Sequence, residues 1–530
     1  MTPHYLIAFD SSSLPHLFTD VLVIGSGVAG LRAAIEASRH AEVTVITKDE
    51  LKESNTDRAQ GGIASAFGPD DSVEQHAEDT ISVGRGLCDP ETVRFVVSRG
   101  PELIRELGDW GAVFDTKGGA FALGREGGHR QARIVHARGD ATGAEVERTL
   151  IAKARECERI RTIEHTFVVD LLTQDNTCLG AVAWSQGQGI MLIWANAVVL
   201  ASGGAGQVFR ETTNPRIATG DGLAMAYRAG CELRDPEFVQ FHPTTLYVAG
   251  AARVLISEAA RGEGGILVNK TGERFMARYS EMKELAPRDV VSRAILAEMQ
   301  RTADTNVYLD LTHVGPARLA ARFPHIKELC LLFDIDISED LIPVSPSAHY
   351  MIGGVRAGID GRSTVRQLYV CGETACTGMH GANRLGSNSL LEGLVLGKNT
   401  GDAVGSAAAL KRPPAPHRIR APQRPSGAGQ IDLDDVRNSL RSAMWRNVGI
   451  VRDAQGLHRT LGRTKFWSGY VLARQFENPR GWRIQNMLTL ADLITQVALE
   501  REESRGAHFR SDFPTPCEEA RHSIIRKPEE

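Results

Sequence analysis

A chain of 530 residues with 42% hydrophobic content and a net charge of −4 is long enough for two or three domains around a large core, and it has no basic excess for nucleic acid or an anionic membrane. No apolar run reaches the ~18 residues of a membrane span, and the first twenty residues lack the basic region and long apolar core of a secretory signal. The 8 cysteines are scattered without a C-x-x-C pair, and His380 is the only histidine near Cys371 and Cys376, which excludes a zinc or iron–sulfur site and a disulfide framework and suits a cytoplasmic chain with no metal.

In chain order, the first strong pattern spans residues 20–48. Residues 21–24 are a β-branched apolar run of strand length. Gly25, Ser26, Gly27, Val28, Ala29 and Gly30 follow directly, and Leu31, Ala34, Ile35 and Ala37 recur at helical spacing. Residues 43–46 read as a second buried strand. Strand, glycine turn, helix and strand make the dinucleotide fingerprint: Gly25 permits the tight turn, Gly27 lets the backbone approach a pyrophosphate, and Gly30 lets the helix lie close on the sheet. The helix start presents N–H groups to phosphate. Strand two ends in Thr47 and Lys48 where an acid would hold a ribose 2′-hydroxyl, with Asp49 and Glu50 slightly late, which argues against a plain NAD enzyme.

Residues 51–68 lack helical periodicity and read as a loop beside the first turn. Residues 73–110 are helical in pattern. The segments TFVVDLL, CLGAVAW and MLIWANAVVLASGG, within 162–204, suggest an antiparallel meander that returns to the main sheet and ends in Ser202, Gly203 and Gly204. From 235 to 349 charged residues and histidines multiply, which marks an inserted domain. Residues 365–375 form a third apolar strand ending in Gly372 and Glu373. Residues 387–404 are a helix whose Ser387, Asn388 and Ser389 suit capping and anion binding. Residues 411–430, rich in proline and basic residues, read as a linker that cannot hold regular structure, and 433–499 as helices.

An acid after the third strand can hold a ribitol or ribose hydroxyl, a pattern that suits FAD better than NAD. Asn55, Gln60, Gly61 and Gly62 would supply backbone contacts to a flavin ring. The expected fold is α/β. A discontinuous Rossmann-like FAD-binding domain takes 1–234 and 350–410, an inserted α+β capping domain takes 235–349, a linker takes 411–430 and a C-terminal helical bundle takes 431–530.

Seven longer motifs now stand in order: NTDRAQGGIA (55–64), EFVQFHPT (237–244), ISEAARGEGG (256–265), LAPRDVVSRAI (285–295), AHYMIGGV (348–355), GANRLGSNSLLEGLV (381–395) and ESRGAHFRSDFP (503–514). With them the chain resembles the succinate dehydrogenase/fumarate reductase flavoprotein superfamily, and within it the L-aspartate oxidases. The resemblance implies a dicarboxylate site between the FAD domain and the insertion. His242, His349 and Arg384 fall on its substrate-binding positions. Ser257 stands where the family has threonine and keeps the hydroxyl. Arg288 falls on the proton-shuttling arginine, with Glu258 as its relay partner, and Arg261 and Glu263 are left outside the substrate contacts. Cofactor contacts extend by the same likeness to Thr56, Asp221 and Leu390. A C4 diacid needs fixed cations, and an arginine fork suits a carboxylate.

Two residues choose within the superfamily. Membrane-bound relatives attach FAD through a histidine where this chain has Asn55, so the FAD should be non-covalent. GREGGHRQARIVHA (124–137) resembles the aspartate oxidase segment and puts Glu126 where it could meet an α-ammonium. The resemblance then implies hydride transfer from Cα of L-aspartate to flavin N5, giving iminoaspartate. Oxygen or fumarate reoxidises the flavin, and the product feeds quinolinate synthase in NAD biosynthesis. The alternatives are a soluble fumarate reductase or succinate dehydrogenase flavoprotein and a non-catalytic flavin-binding protein. Loss of Arg288, His349 or Arg384 would favour the latter, and all three are present.

Overall fold

The strand His16–Ile24 runs through a largely parallel sheet, and the helix Val28–Ala37 carries the chain from it to Val43–Ile46. The computed structural model describes residues 2–250, 253–423 and 431–528. Gly25 turns the chain at φ +113°, and a Cβ there would lie 2.1 Å from the Ala201 carbonyl oxygen, so a side chain is excluded on both counts. Side chains alternate along the strand. Val21 and Val23 face Ala33 and Val404 on one side, while Leu22 and Ile24 face Leu223 and Leu488 on the other.

Seven strands form this sheet among the described residues, in the order Thr166–Gln174, Thr177–Ser185, Gly189–Leu200, His16–Ile24, Val43–Ile46 and Ile160–Ile163, with Leu368–Val370 added parallel to Gly189–Leu200. The first three are the antiparallel meander, and the third joins His16–Ile24 in parallel. On one face the helix Asn388–Ala409 packs along Val28–Ala37. Its Gly393, Gly397, Gly401 and Gly405 recur every fourth residue and meet Val28, Ala29, Ala33 and Ala37.

The chain leaves this domain at Leu233–Arg234 and returns at Gly354–Arg356, and the two segments pair side by side. Between them lies a cap with a four-stranded antiparallel sheet ordered Val239–Leu246, Ile342–Met351, Val307–Asp310 and Ile266–Val268. The helix Arg288–Thr302 lies against it, with Val291 and Ile295 in a core shared with Leu246, Leu309 and Val344. Three helices, Leu433–Asn447, Ala454–Val471 and Pro479–Glu500, cover the other face of the main sheet.

The stretch 73–110 is helical, as its pattern implies, in two helices, Val73–Val83 and Pro90–Asp109. Other expectations need correction. The 51–68 loop contains the short strand Ile63–Ala64, paired with Ile134–Val135. The proline-rich linker does hold regular structure: Arg420–Ala421 pairs with Phe9–Asp10, with Pro422 standing just past the ladder and not in it. Residues 424–430 of that linker lie outside the described residues. Past Glu500 the helices stop, and Ile524–Ile525 instead adds a strand beside Leu233–Arg234. Among the described residues no helix is long and apolar enough to cross a membrane.

Candidate active site

A single cavity of ≈ 620 Å³ runs from the glycine turn at 25–29 to the junction of the main domain and the cap. At its first end the helix Val28–Ala37 starts without a side-chain cap, because Gly27 stands at the cap position. The Val28 N–H donates to Thr56 Oγ1 at 3.1 Å, which draws the 54–57 loop across the turn. Lys48 pairs with Asp221 and also donates to Thr219 Oγ1 at 3.2 Å. Burial works to raise the Asp221 carboxyl, but the Lys48 ammonium and the Asn486 and Thr219 hydrogen bonds overcome it and hold it below the ordinary range. Asp221 thus brings a carboxylate to the end of strand two, with both of its oxygens held by Lys48, Thr219 and Asn486.

Further along, Asn55 Nδ2 donates to Glu373 Oε2 at 2.8 Å, and the Met351 N–H donates to Oε1 at 2.9 Å. Burial raises the Glu373 carboxyl. Asn55 Oδ1 and Gln60 Oε1 are buried against this cavity without a protein partner. Unpaired acceptors of this kind, beside a glycine-lined helix start, fit the hydroxyls, amides and phosphates of a dinucleotide.

The far end gathers charge. Arg288 opens its helix and donates from Nε to Glu258 Oε2 at 2.6 Å, while Arg261 Nη2 donates to Glu258 Oε1 at 2.8 Å. Burial pushes Glu258 up, and the two guanidiniums more than reverse this. Arg384 donates from Nη2 to Ser389 Oγ at 2.9 Å and stacks 4.6 Å over the Tyr350 ring, and its Nε has no partner among the described residues. Burial and then the charge of Arg288 push Arg384 down to about 10, so it stays a cation at neutral pH. Glu126 Oε2 accepts from Ser387 Oγ at 2.8 Å, and its buried Oε1 is unpaired. Burial raises Glu126, and the charge of Glu258 adds to it.

His242 and His349 lie 5.2 Å apart, ring centroid to ring centroid, edge to face. Burial holds both well below the ordinary histidine range, and Arg288 adds to the effect, so both are neutral. His242 Nδ1 lies 3.2 Å from the Thr244 carbonyl oxygen and 3.3 Å from the Thr244 backbone nitrogen, and its Nε2 has no partner among the described residues. Thr213 Oγ1 holds His349 Nδ1 at 2.9 Å. Ser257 accepts from the Ala259 N–H at 3.3 Å and retains its own proton for a ligand.

The cavity wall therefore includes Glu126, His242, Ser257, Glu258, Arg288, His349 and Arg384, together with every expected cofactor position except two. Gly30 serves packing alone: a Cβ there would lie 2.1 Å from the Gly25 carbonyl oxygen. Asn388 faces away and bonds His76 Nε2 at 2.9 Å and Thr80 Oγ1 at 3.0 Å. Nor does Ser387 cap its helix. It takes a left-handed φ of 61° and spends its hydroxyl on Glu126 and the Gly62 N–H. Sequence reasoning missed Gln240, Tyr350, Thr213 and Arg253. Gln240 had a signal, since it stands two residues before His242 inside the motif EFVQFHPT.

The chain matches the family described as FAD binding domain over residues 20–390 and the one described as fumarate reductase flavoprotein C-term over residues 477–529. It is similar to an L-aspartate oxidase of Streptomyces coelicolor, 43% identical over 537 residues that cover 96% of this chain and 91% of the relative. It is also similar to the chloroplastic L-aspartate oxidase 2-a of Nicotiana tabacum, 43% identical over 541 residues that cover 96% of this chain and 84% of the relative. Among solved structures it is similar to a quinol fumarate reductase of E. coli, with a TM-score of 0.88, 31% identity and coverage of 97% of this chain and 95% of that one.

Proposed function

The chain belongs to the L-aspartate oxidases of the succinate dehydrogenase/fumarate reductase flavoprotein superfamily, and from that membership we infer that it oxidises L-aspartate to iminoaspartate with FAD, electrons leaving to oxygen or fumarate. The observation that carries the reading is a pairing of opposite charges across one cavity: Glu126, with a free carboxylate oxygen, faces the Arg288 and Arg384 cations. An ammonium beside two carboxylates is the charge pattern of aspartate.

When bound, FAD would supply the two-electron chemistry as the hydride acceptor for the Cα hydrogen of aspartate. The chain's own groups bind, orient and move protons. Arg384, with its unpartnered Nε, donates to a substrate carboxylate, and His242, with its unpartnered Nε2, His349 and Ser257 complete that shell. Glu126 takes the α-ammonium. Arg288, Glu258 and Arg261 form one hydrogen-bonded row, along which a proton reaches or leaves the substrate side without stranding a buried charge. In fumarate reduction Arg288 is the acid, returned to its charged form through Glu258. Asn55 stands at the histidine position of covalent relatives, so the FAD is held without a covalent bond.

The imine hydrolyses in water, so its consumer, quinolinate synthase, is the functional neighbour of this reading. A cytoplasmic, reducing location is part of it, and the free state of the cysteines supports that. The test is anaerobic titration of the bound flavin. L-Aspartate should bleach it and D-aspartate should not. Bleaching by succinate alone would overturn the assignment in favour of a succinate or fumarate flavoprotein.

A further inference from the structure

We propose that Gln240 is a positioning residue that sets the spacing of Arg288 and Arg384 without adding a negative charge beside them, a step that rests on the roles given to those arginines above. Gln240 is buried on the cap strand Val239–Leu246, just before a register shift between Gln240 and Phe241. Its Oε1 accepts from Arg288 Nη1 at 3.0 Å and from Arg384 Nη1 at 2.9 Å. Its Nε2 donates to the Arg384 carbonyl oxygen at 2.7 Å and to Asn383 Oδ1 at 3.2 Å. Guanidinium has donors only, so the amide must present its oxygen to both arginines. Both lone pairs and both N–H groups of the amide are then used.

The chemistry explains why an amide stands here. Two guanidiniums that share one acceptor repel each other, and burial sharpens the repulsion. A carboxylate at this position would hold them more tightly but would cancel charge that attracts the ligand. An apolar side chain would leave two buried donors unpaired and let the cations drift apart. A neutral acceptor holds them without neutralising them. The bridge also joins the domains. Asn383 Nδ2 donates to Asp289 Oδ1 at 2.8 Å, so Gln240, Arg288, Asp289 and Asn383 close a ring through the cap strand, the cap helix and the 383–389 loop.

The experiment uses the FAD-saturated full chain as Gln240→Glu, Gln240→Met and Arg384→Leu, with flavin content and melting temperature as folding controls. Gln240→Glu should weaken inhibition by the dianion succinate about thirtyfold or more and raise KM for aspartate about tenfold, because added charge competes with the ligand. Gln240→Met should lower kcat about tenfold or more and change succinate inhibition less than about fivefold, because the charges remain but lose their spacing. Native kinetics in both Gln240 variants, with succinate binding lost in Arg384→Leu, would overturn the role of Gln240 and leave the arginine assignment standing. Native succinate binding in Arg384→Leu would overturn the arginine assignment itself. Equal falls in KM-normalised rate for both Gln240 variants, tracking lost flavin, would make Gln240 a folding residue only.

Discussion

Glu126 shares its buried pocket with Glu258, Arg288 and Arg384, and one of its oxygens has no protein partner. Its carboxyl is raised by burial, so protons compete for it above the usual carboxylate range, and a bound ammonium would draw it back to the charged form. The sign follows. Aspartate kcat/KM should fall as pH drops through the raised range, while succinate binding should tighten there as the repulsion is neutralised. Glu126→Gln should remove both trends and weaken aspartate ~30- to 150-fold, from a charge pair worth about 2–3 kcal/mol, while fumarate reduction holds. Steady-state kinetics on one preparation with both substrates decides it, and equal losses would make Glu126 structural. Arg288 has a separate signature. Arg288→Leu should keep the flavin spectrum, since this side chain bonds Glu258 and Gln240 at the substrate end, but lose aspartate oxidation and fumarate reduction together. Fumarate reduction at the native rate would remove Arg288 from proton transfer. At this scale the place of His242, Arg288 and Arg384 in one cavity was legible, because residue types that suit dicarboxylate chemistry stand inside long motifs. Tyr350 was not, because its role is the stacking of Arg384, a contact between separate segments that no local pattern announces.

The elements were legible where one face is buried and the period is clean. The strand, turn and helix at 20–48 could be read because apolar residues alternate and then recur at helical spacing around glycines. The Arg420–Ala421 strand could not, since its partner Phe9–Asp10 is remote in sequence and the surrounding prolines dominate the local signal. The capping expectation at 387–389 failed for a related reason: Glu126, from a distant segment, claims the Ser387 hydroxyl. The glycines of Asn388–Ala409 make a quantitative test of close helix packing. A Cβ at Gly401 would lie 2.4 Å from the Ala33 carbonyl oxygen and 3.0 Å from its Cα, so backbone would have to move. Gly401→Ala should cost about 1–3 kcal/mol of stability, and Gly401→Val more, with loss of bound flavin because Val28–Ala37 carries the cofactor turn. Gly462, within Ala454–Val471, meets nothing within 4 Å. Gly462→Ala should stabilise by roughly 0.5–1 kcal/mol through helix propensity alone. Denaturant midpoints of the two alanine variants should therefore move in opposite directions, and a shared direction would refute close packing as the reason for the stripe.

Across the whole molecule, the segment from 124 to 140 is wedged between the main domain and the cap. Gly124 approaches His136 and Arg322, and Asp140 accepts the His325 and Ile326 N–H groups of the cap at 3.1 and 2.8 Å. Histidines in and beside this wedge are buried neutral: burial pushes His76 and His136 down to about 3 and His129 down to about 4. The unfolded chain takes up these protons from about pH 6.5 downward, whereas the folded chain refuses them until about 3 or 4. Stability from these groups is thus fully present above pH 6.5 and drains away as pH falls across that window. The raised carboxyls of Glu126 and Glu147 act the other way above their ordinary range, so the total curve is a balance. His136 isolates one contribution, because neither of its ring nitrogens has a hydrogen-bond partner and a leucine forfeits none. Unfolding free energies of the FAD-saturated protein and of His136→Leu should be compared at pH 7, 6 and 5. Packing sets the gap at pH 7. Below pH 6.5 the native protein should lose about 1.4 kcal/mol per pH unit more than the variant. Parallel curves would mean that His136 opens to water or to the cap before it titrates, and that the wedge yields in acid without unfolding.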